Sequence, residues 1–217
     1  MNLDYSVVIS KLPIFLDGCL VTLEISFFAL LLGMIFGIGG ALCRISSNRF
    51  LSGMAFLYVW IIRGTPIMVQ LFILYFGLPQ LGIKMSSMTA GILGLAINTG
   101  AYVTEIIRSG IQAIERGQTE AALSLGMKPY QAMVRIVGPQ AVKVCMPPLV
   151  NQFIMTLKNS SIASLVTITE LLRTGEQLIY TTFRSFEVYT VVAVLYLIMN
   201  SVFMIVAGKL EKRMERQ

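Results

Sequence analysis

The stretch from Gly117 to Tyr130, GQTEAALSLGMKPY, is the longest polar-rich interruption in an otherwise apolar chain. We expect a short helix that begins near Glu120, because a carboxylate suits the positive end of a helix dipole. Gly126 can end that helix in a left-handed turn. Pro129 can begin the next helix, since proline is favoured at the first helical position. The sequence therefore predicts two short helices joined by a tight turn.

The second of these helices has one apolar face. Its apolar residues recur at helical spacing, at Tyr130, Met133, Val134 and Val137. We expect Pro139 to end the helix, because a proline inside a helix removes a backbone hydrogen bond. Two short helices with an apolar face, placed outside a membrane, indicate a surface that docks another chain.

The composition is that of a membrane protein. Of the 217 residues, 56% are hydrophobic and 13% are charged, whereas soluble domains carry roughly 25% charged residues. The net charge of +6 fits the positive-inside rule and anionic lipid head groups, so we expect no nucleic-acid partner. The chain has no histidine, three scattered cysteines and no GxxxxGK(S/T) phosphate loop. We therefore expect no catalytic residue and no metal site, and ATP hydrolysis would fall to another chain.

Apolar runs predict five membrane spans. A spanning helix needs about 20 residues, and the uncharged runs 25–43 and 188–208 have that length. We place a second span within 55–80, kinked at Pro66, and a third at 88–107. The fourth span follows the loop at 117–139 that contains the two short helices, which we call the docking loop. This span is unusually polar. The expected fold is an all-α integral membrane protein.

The predicted organisation has three parts. These are an N-terminal extracytoplasmic segment at 1–17, a transmembrane domain at 18–208 that includes the loop at 117–139, and a basic tail at 209–217. A short external helix is expected around 168–178. Basic residues are concentrated in the loops at 44–49 and 108–135 and in the tail. The positive-inside rule therefore places the docking loop and C-terminus in the cytoplasm and the N-terminus outside.

Glycines at small-xxx-small spacing mark the first span. Gly33 and Gly37 are four residues apart, a spacing that lets two helices approach closely. We interpret them as a packing face within one subunit, with a contact between two subunits as the alternative.

Polar groups inside predicted spans are candidates for a substrate pathway, because hydrocarbon tolerates them only when they are paired or wetted. Glu24 suits an ammonium group, and Arg63 or Lys158 suits a carboxylate. Together these groups would hold a zwitterion. The candidates are Glu24, Arg63, Asn98, Lys158, Asn159, Ser160 and Ser161.

Each candidate also has a structural interpretation. Glu24 can be interfacial and wet, Arg63 can stabilise the bend at Pro66, and Asn98 can form an interhelical hydrogen bond. The run Lys158–Ser161 can be a break in the fourth helix. Broken helices in membranes border a cavity, so for this run the structural interpretation and the substrate-pathway interpretation overlap.

The loop resembles the cytoplasmic EAA loop of the permease subunits of ABC importers. That pattern has Glu-Ala-Ala, three residues, Gly, nine residues and Ile-x-Leu-Pro. Here it corresponds to Glu120-Ala121-Ala122, Gly126 and Ile136–Pro139, with Gly138 where Leu is usual. Further runs resemble the polar amino acid branch, which serves histidine, glutamine, arginine and cystine. These are Arg63–Pro66, Glu105–Ile111 and Leu157–Ser161.

The resemblance implies partners and roles. It implies a second permease copy or paralogue, two ATP-binding subunits that hold ATP and Mg, an extracytoplasmic solute-binding protein and a polar amino acid as substrate. It also implies coupling to the ATPase by Glu120, Ala121, Ala122, Gly126, Lys128 and Pro139. Family members often have an acid at the position of Asn159, so the resemblance does not favour a strictly basic substrate.

Two other classes of function are weighed against this one. A stand-alone ion-coupled secondary transporter or channel would need membrane carboxylates, and Glu24 is almost the only one. It would also leave the docking loop without a role. A membrane enzyme or redox anchor is disfavoured by the missing histidines and metal spacings.

Overall fold

A computed structural model describes residues 3–215, with side chains up to Lys209. Within that range the regular structure is helical, without strands. The α-helices are α1 (Ser6–Ile9), α2 (Leu12–Ile45), α3 (Arg49–Gly64), α4 (Ile67–Phe72), α5 (Ser87–Gln112), α6 (Arg116–Ser124), α7 (Pro129–Ala132), α8 (Gly138–Asn159), α9 (Leu171–Thr182) and α10 (Ser185–Glu215). Two π-helical segments, Ile73–Gly77 and Met133–Val137, and two 3-10 segments, Leu78–Leu81 and Ser160–Val166, continue or connect them.

The scaffold is the pair α2 and α5. A Cβ atom added at Gly33 would lie 2.8 Å from Thr99 Cγ2, and one added at Gly37 would overlap Val103. Residue numbers rise together along both helices, so the two helices run in the same direction. The packing of these glycines within one subunit is confirmed.

Among the described residues, three helices are long and apolar enough to span a membrane: α2, α5 and the part of α10 from Ser185 to Lys209. They contain the first, third and last predicted spans. The fourth predicted span corresponds to α8, which is less apolar than the three helices above and is not among the described helices that could span a membrane. The reason is its polar residues and prolines, which are Lys143, Pro147, Pro148, Asn151 and Lys158. The count of five spans stays a prediction.

The second predicted span is wrong in its shape. It consists of two helical pieces, Arg49–Gly64 and Ile67–Leu81, that meet at 106°, which is more than a kink. Thr65 and Pro66 between them are both extended, with ψ of 146° and 136°. A proline disfavours helical geometry in the residue before it, so two successive extended residues redirect the chain.

One end of the fold is formed by α1, α9 and the start of α10. Gly18 of α2 lies against Leu171 and Thr174 of α9. Because α2 runs from Leu12 to Ile45, the predicted boundary between residues 17 and 18 falls inside a continuous helix. Arg184 ties the N-terminal segment to α10, since its Nη1 donates to Glu187 Oε1 at 3.0 Å and to the carbonyl oxygen of Asp4 at 3.4 Å.

Candidate functional site

The first helix of the docking loop begins earlier than expected. It runs from Arg116 to Ser124 with Glu115 at its N-cap, so Glu120 lies in its second turn and not at its start. The dipole argument for Glu120 is therefore wrong. The Glu120 side chain is exposed, Ala121 is exposed and Ala122 is buried. The helix thus presents Glu120 and Ala121 outward and packs on Ala122.

Gly126 ends this helix in the predicted left-handed turn, with φ +81°. The Gly126 N–H donates to the Leu123 carbonyl at 3.0 Å, and the Met127 N–H donates to the Ala122 carbonyl at 3.1 Å. These two bonds form a Schellman motif. No atom lies within 4 Å of a Cβ added at Gly126, so the backbone conformation and not the available space requires glycine here.

The second loop helix does not end at Pro139. It starts at Pro129 as predicted, passes through the π-helical segment Met133–Val137 and continues directly as α8. Because a π-helical turn already shifts the hydrogen-bond pattern, the missing N–H of Pro139 does not interrupt the helix. A Cβ added at Gly138 would lie 2.9 Å from the Met133 carbonyl oxygen. Glycine in place of the usual leucine therefore accommodates the π-helical segment.

The predicted apolar face of the loop is divided between two surroundings. Tyr130 is 76% exposed and Val134 51%, whereas Val137 is 4% exposed and packs inward. Leu125, in the turn, is 83% exposed. We call the exposed apolar set Leu123, Leu125, Tyr130 and Val134 the coupling surface. Exposed apolar patches of this kind mark protein contacts.

The remaining loop residues fix its local geometry. The Lys128 N–H donates to Gln131 Oε1 at 2.9 Å, which closes the start of α7, and the Lys128 side chain is exposed. Gln140 Nε2 donates to the Ile136 carbonyl at 2.9 Å and to Gln118 Oε1 at 3.4 Å. Gln140, in the first turn of α8, therefore links Gln118 near the start of the loop to Ile136 near its end.

Helix α8 has an exposed face, the α8 stripe, on which polar residues alternate with the exposed apolar residues Val144, Pro147 and Met155. Gln140, Asn151 and Lys158 are all exposed and are separated by 11 and 7 residues, so they lie on one helix face. The opposite face is buried, and there Thr156 Oγ1 pairs with Thr99 Oγ1 of α5 at 2.9 Å. Sequence reasoning did not select Gln140 or Asn151, although their spacing with Lys158 was the available signal.

The predicted run 158–161 is divided by the end of α8. Lys158 is exposed and Asn159 is half-buried. Ser160 is fully buried and donates to the Leu157 carbonyl, and Ser161 donates to the Lys158 carbonyl. The helix changes there to the 3-10 segment Ser160–Val166, so a helix break is present. Lys158 is thus the exposed member of the run, Asn159 and Ser161 are half-buried, and Ser160 is inaccessible.

Asn98 is linked to the bend between α3 and α4. Its Nδ2 donates to Gln70 Oε1 at 3.1 Å, while Gln70 Nε2 donates to the carbonyl oxygens of Ile62 at 2.8 Å and Thr65 at 3.1 Å. Gln70 thus satisfies carbonyl groups that the broken helix leaves open. It was missed in the sequence because its partners are fixed only by the fold.

Arg63 and Glu24 are not brought together. Arg63 is exposed in the last turn of α3, and its guanidinium lies 5.1 Å from the centroid of the Tyr102 ring. Glu24 is exposed on α2. The ion pairs between described side chains join Arg108 to Glu105 and Arg184 to Asp4 and Glu187. None of them joins Glu24 to Arg63 or Lys158.

Glu170 is a buried carboxylate that the sequence did not indicate, since it lies in the short external helix expected around 168–178. It is fully buried at the N-cap of α9. Its two oxygens accept hydrogen bonds from the N–H groups of Leu172 and Arg173, and Oε2 also accepts from the Tyr196 hydroxyl at 2.6 Å. Glu170 therefore joins α9 to α10 next to the break after α8.

We expect Gln70→Leu to destabilise the bend by about 2 kcal/mol, because leaving a buried polar group unsatisfied costs about 1–3 kcal/mol. Proteolysis or hydrogen exchange around 62–70 should increase. Gln177→Leu is the matched control, since Gln177 is exposed on α9. Equal protection of 62–70 in both variants would show that Gln70 does not hold the bend.

Comparisons with known proteins agree with this architecture. The family of binding-protein-dependent transport system inner membrane components matches residues 29–216. The arginine transport system permease protein ArtQ of Bacillus subtilis is 36% identical over 99% of both chains. The glutamine transport system permease protein GlnP of Escherichia coli is 33% identical over 99% of both chains.

Solved structures show the same fold. A crystal structure of an amino acid ABC transporter with histidines matches with a TM-score of 0.93 and 40% identity, over 98% of this chain and 100% of that one. The inward-facing MetNI methionine ABC transporter matches with a TM-score of 0.70 at 20% identity, over 92% and 94% of the two chains; that likeness concerns the fold alone. The chain belongs to the family of binding-protein-dependent transport system inner membrane components.

Proposed function

We propose that the chain is the membrane-spanning subunit of an ATP-driven importer for a polar amino acid. The family acts in the inner membrane with a binding protein and an ATPase. Relatives that match over nearly the whole chain are named as arginine and glutamine permeases. The observation that carries the proposal is the exposure of Gln140, Asn151 and Lys158 on the α8 stripe, because exposed polar and charged groups on a membrane helix must border water or another subunit.

In the proposed assembly, two permease subunits, alike or paralogous, enclose a pathway between their α8 stripes. Two ATP-binding subunits, which hold ATP and Mg, bind the coupling surface from the cytoplasm. An extracytoplasmic solute-binding protein delivers the amino acid. The N-terminus lies outside, the C-terminus lies in the cytoplasm and each subunit has five spans, with α8 shielded from lipid by the partner.

The pathway residues have distinct roles in this proposal. Lys158 and Arg63 are exposed cations that suit the substrate carboxylate, and Glu24 suits its ammonium group. Asn159 offers an amide at the helix break. Asn98, Ser160 and Ser161 contribute through the shape of the bend and of the break, since their hydrogen bonds are made within the chain.

Movement of the pathway follows from the continuity of the loop with α8. Closure of the ATPase subunits displaces the coupling surface, and α7 transmits that displacement through the π-helical segment to the stripe of α8 without an intervening loop. Alternating access then follows as a relative movement of helices around the solute.

The test is uptake of labelled amino acids into lipid vesicles that contain the chain with its ATPase and binding protein. We expect ATP-dependent uptake of one or a few polar amino acids. Uptake that ignores ATP and follows an ion gradient would instead establish the rival class, a stand-alone secondary transporter.

Lys158→Met is expected to raise the KM for uptake about tenfold or more, because a hydrogen bond to a charged group contributes about 1.5–3 kcal/mol. Assembly with the ATPase should persist. Lys84→Met, an exposed lysine in the loop before α5, is the control with the same loss of charge. A KM unchanged by Lys158→Met would remove Lys158 from the pathway.

A further inference from the structure

An apolar groove lies between α2 and α3 near the turn that joins them. Its volume is about 480 Å³, and its lining includes Phe36, Cys43, Leu51, Met54 and Tyr58. The Tyr58 hydroxyl already donates to the Ile97 carbonyl at 2.6 Å. The groove therefore suits an apolar chain and offers a polar solute no partner along its length.

The groove opens on the apolar outer surface of the helix pair. Ile35, Leu51 and Met54 line it and are themselves exposed. In a membrane protein such a surface is the one that lipid chains contact. The position and lining of the groove thus fit a hydrocarbon chain.

A cation with an unused donor stands at one end of the groove. Arg44 follows Cys43 and lies one helical turn after Gly40, which also lines the groove. Its guanidinium lies 5.2 Å from the centroid of the Phe56 ring. The Nε atom of Arg44 is buried without a hydrogen-bond partner among the described residues. The buried Nε cannot itself meet an oxyanion from outside, so that contact falls to the two Nη atoms of Arg44, for which the described residues supply no hydrogen-bond acceptor or ion pair.

The neighbouring acid does not neutralise this cation. Glu105 lies within electrostatic reach of Arg44, but Arg108 donates to both of its oxygens. The turn 46–48 adds no acid, and Arg49 follows it. The end of the groove therefore keeps a net positive charge.

We propose that the groove and Arg44 form a binding site for an anionic phospholipid, with one acyl chain in the groove and the phosphate at Arg44. Basic pockets between transmembrane helices bind anionic head groups. This site is separate from the α8 stripe and from the coupling surface. It does not depend on which amino acid the complex carries.

Cys43 supplies a natural reporter for this site. It lines the groove and is partly exposed, whereas Cys19 and Cys145 are buried. The purified complex is stripped of lipid in detergent and treated with a maleimide, and labelling of the Cys43 peptide is followed by mass spectrometry. At equal concentration, phosphatidylglycerol should slow labelling about fivefold more than phosphatidylcholine, the factor expected for one arginine near a head group with net negative charge.

Arg44→Gln should abolish the difference between the two lipids. Arg49→Gln removes the same charge from the exposed residue that follows the turn 46–48. This variant should keep most of the difference between the two lipids. Met54→Trp fills the groove without changing charge and should also abolish the difference, which keeps the test available if Arg44→Gln does not fold.

Three results would overturn the proposal. Equal slowing by both lipids would show that the net negative charge of the head group is not recognised, since both lipids carry a phosphate. Equal effects of Arg44→Gln and Arg49→Gln would reduce the site to diffuse charge. A Cys43 that resists labelling in the lipid-free complex would show that a second copy or another subunit covers the groove.

Discussion

Gly37→Val is expected to prevent recovery of folded protein. A Cβ at this position would overlap Val103, and both valines would be stiff at χ1. Gly33 and Gly40 make equally close approaches to Thr99 and Thr104, so α2 cannot move away at one point only. Overpacking a well-packed core costs about 1–3 kcal/mol, and we expect a loss at or above the upper end.

The measurement is the yield and thermal midpoint of monodisperse protein in detergent. Gly53→Val is the matched control, because a Cβ at Gly53 of α3 meets no atom within 4 Å. It should cost less than about 1 kcal/mol, since valine and glycine differ little in helix propensity. Equal midpoints for the two variants would contradict the close packing of α2 on α5.

A second-site change makes this prediction more specific. Val103→Gly removes the side chain that Gly37→Val would strike, so the double variant should recover part of the yield lost by Gly37→Val. Residues in contact are energetically coupled. The double variant should therefore be less destabilised than the sum of the two single destabilisations predicts. The same Val103→Gly change should not rescue an unrelated destabilised variant.

The features that the sequence predicted are those fixed by local chemistry. Gly126 was assigned correctly because few residue types tolerate a left-handed backbone. Gly33 and Gly37 were interpreted correctly because their spacing fits one helix face. The spaced loop pattern indicated the family for the same reason, because its residues lie close together in the sequence and form one local structure.

The errors arise where a distant or competing contact decides. Pro139 does not end its helix, because the π-helical segment ahead of it and Gly138 together accommodate the proline. The angle at Pro66 depends on Gln70 and on Asn98 of another helix. Glu170 is buried, and its partner Tyr196 comes from α10, far along the chain. No local pattern in the sequence reports these partners.

Gly126→Val is expected to lower ATP-driven transport and solute-stimulated ATPase activity together. A non-glycine residue in the left-handed region costs about 1–2 kcal/mol, and Gly126 has φ +81°. The turn joins α6 to α7 and so sets the position of Leu125 relative to Tyr130, two residues of the coupling surface. The strain should reduce the docked population of the loop about five- to thirtyfold.

We expect ATP-driven uptake and solute-stimulated ATPase activity to fall together, while solute binding and assembly of the chain persist. Gly126→Asn should keep most of the activity, because asparagine tolerates the left-handed region. Gly117→Val is a control in the same loop, since Gly117 also has open space around a Cβ but no positive φ. Its uptake should stay near that of the unchanged chain.

The pattern across these variants separates conformation from contact. If Gly126→Val and Gly117→Val lose uptake equally, bulk on the loop surface and not backbone strain is responsible. If Gly126→Val also loses solute binding, the turn acts on the pathway itself and not on the ATPase contact. Loss in Gly126→Val alone, with rescue in Gly126→Asn, assigns the effect to the left-handed turn. The Schellman motif would then be the element that holds the coupling surface in the shape the ATPase recognises.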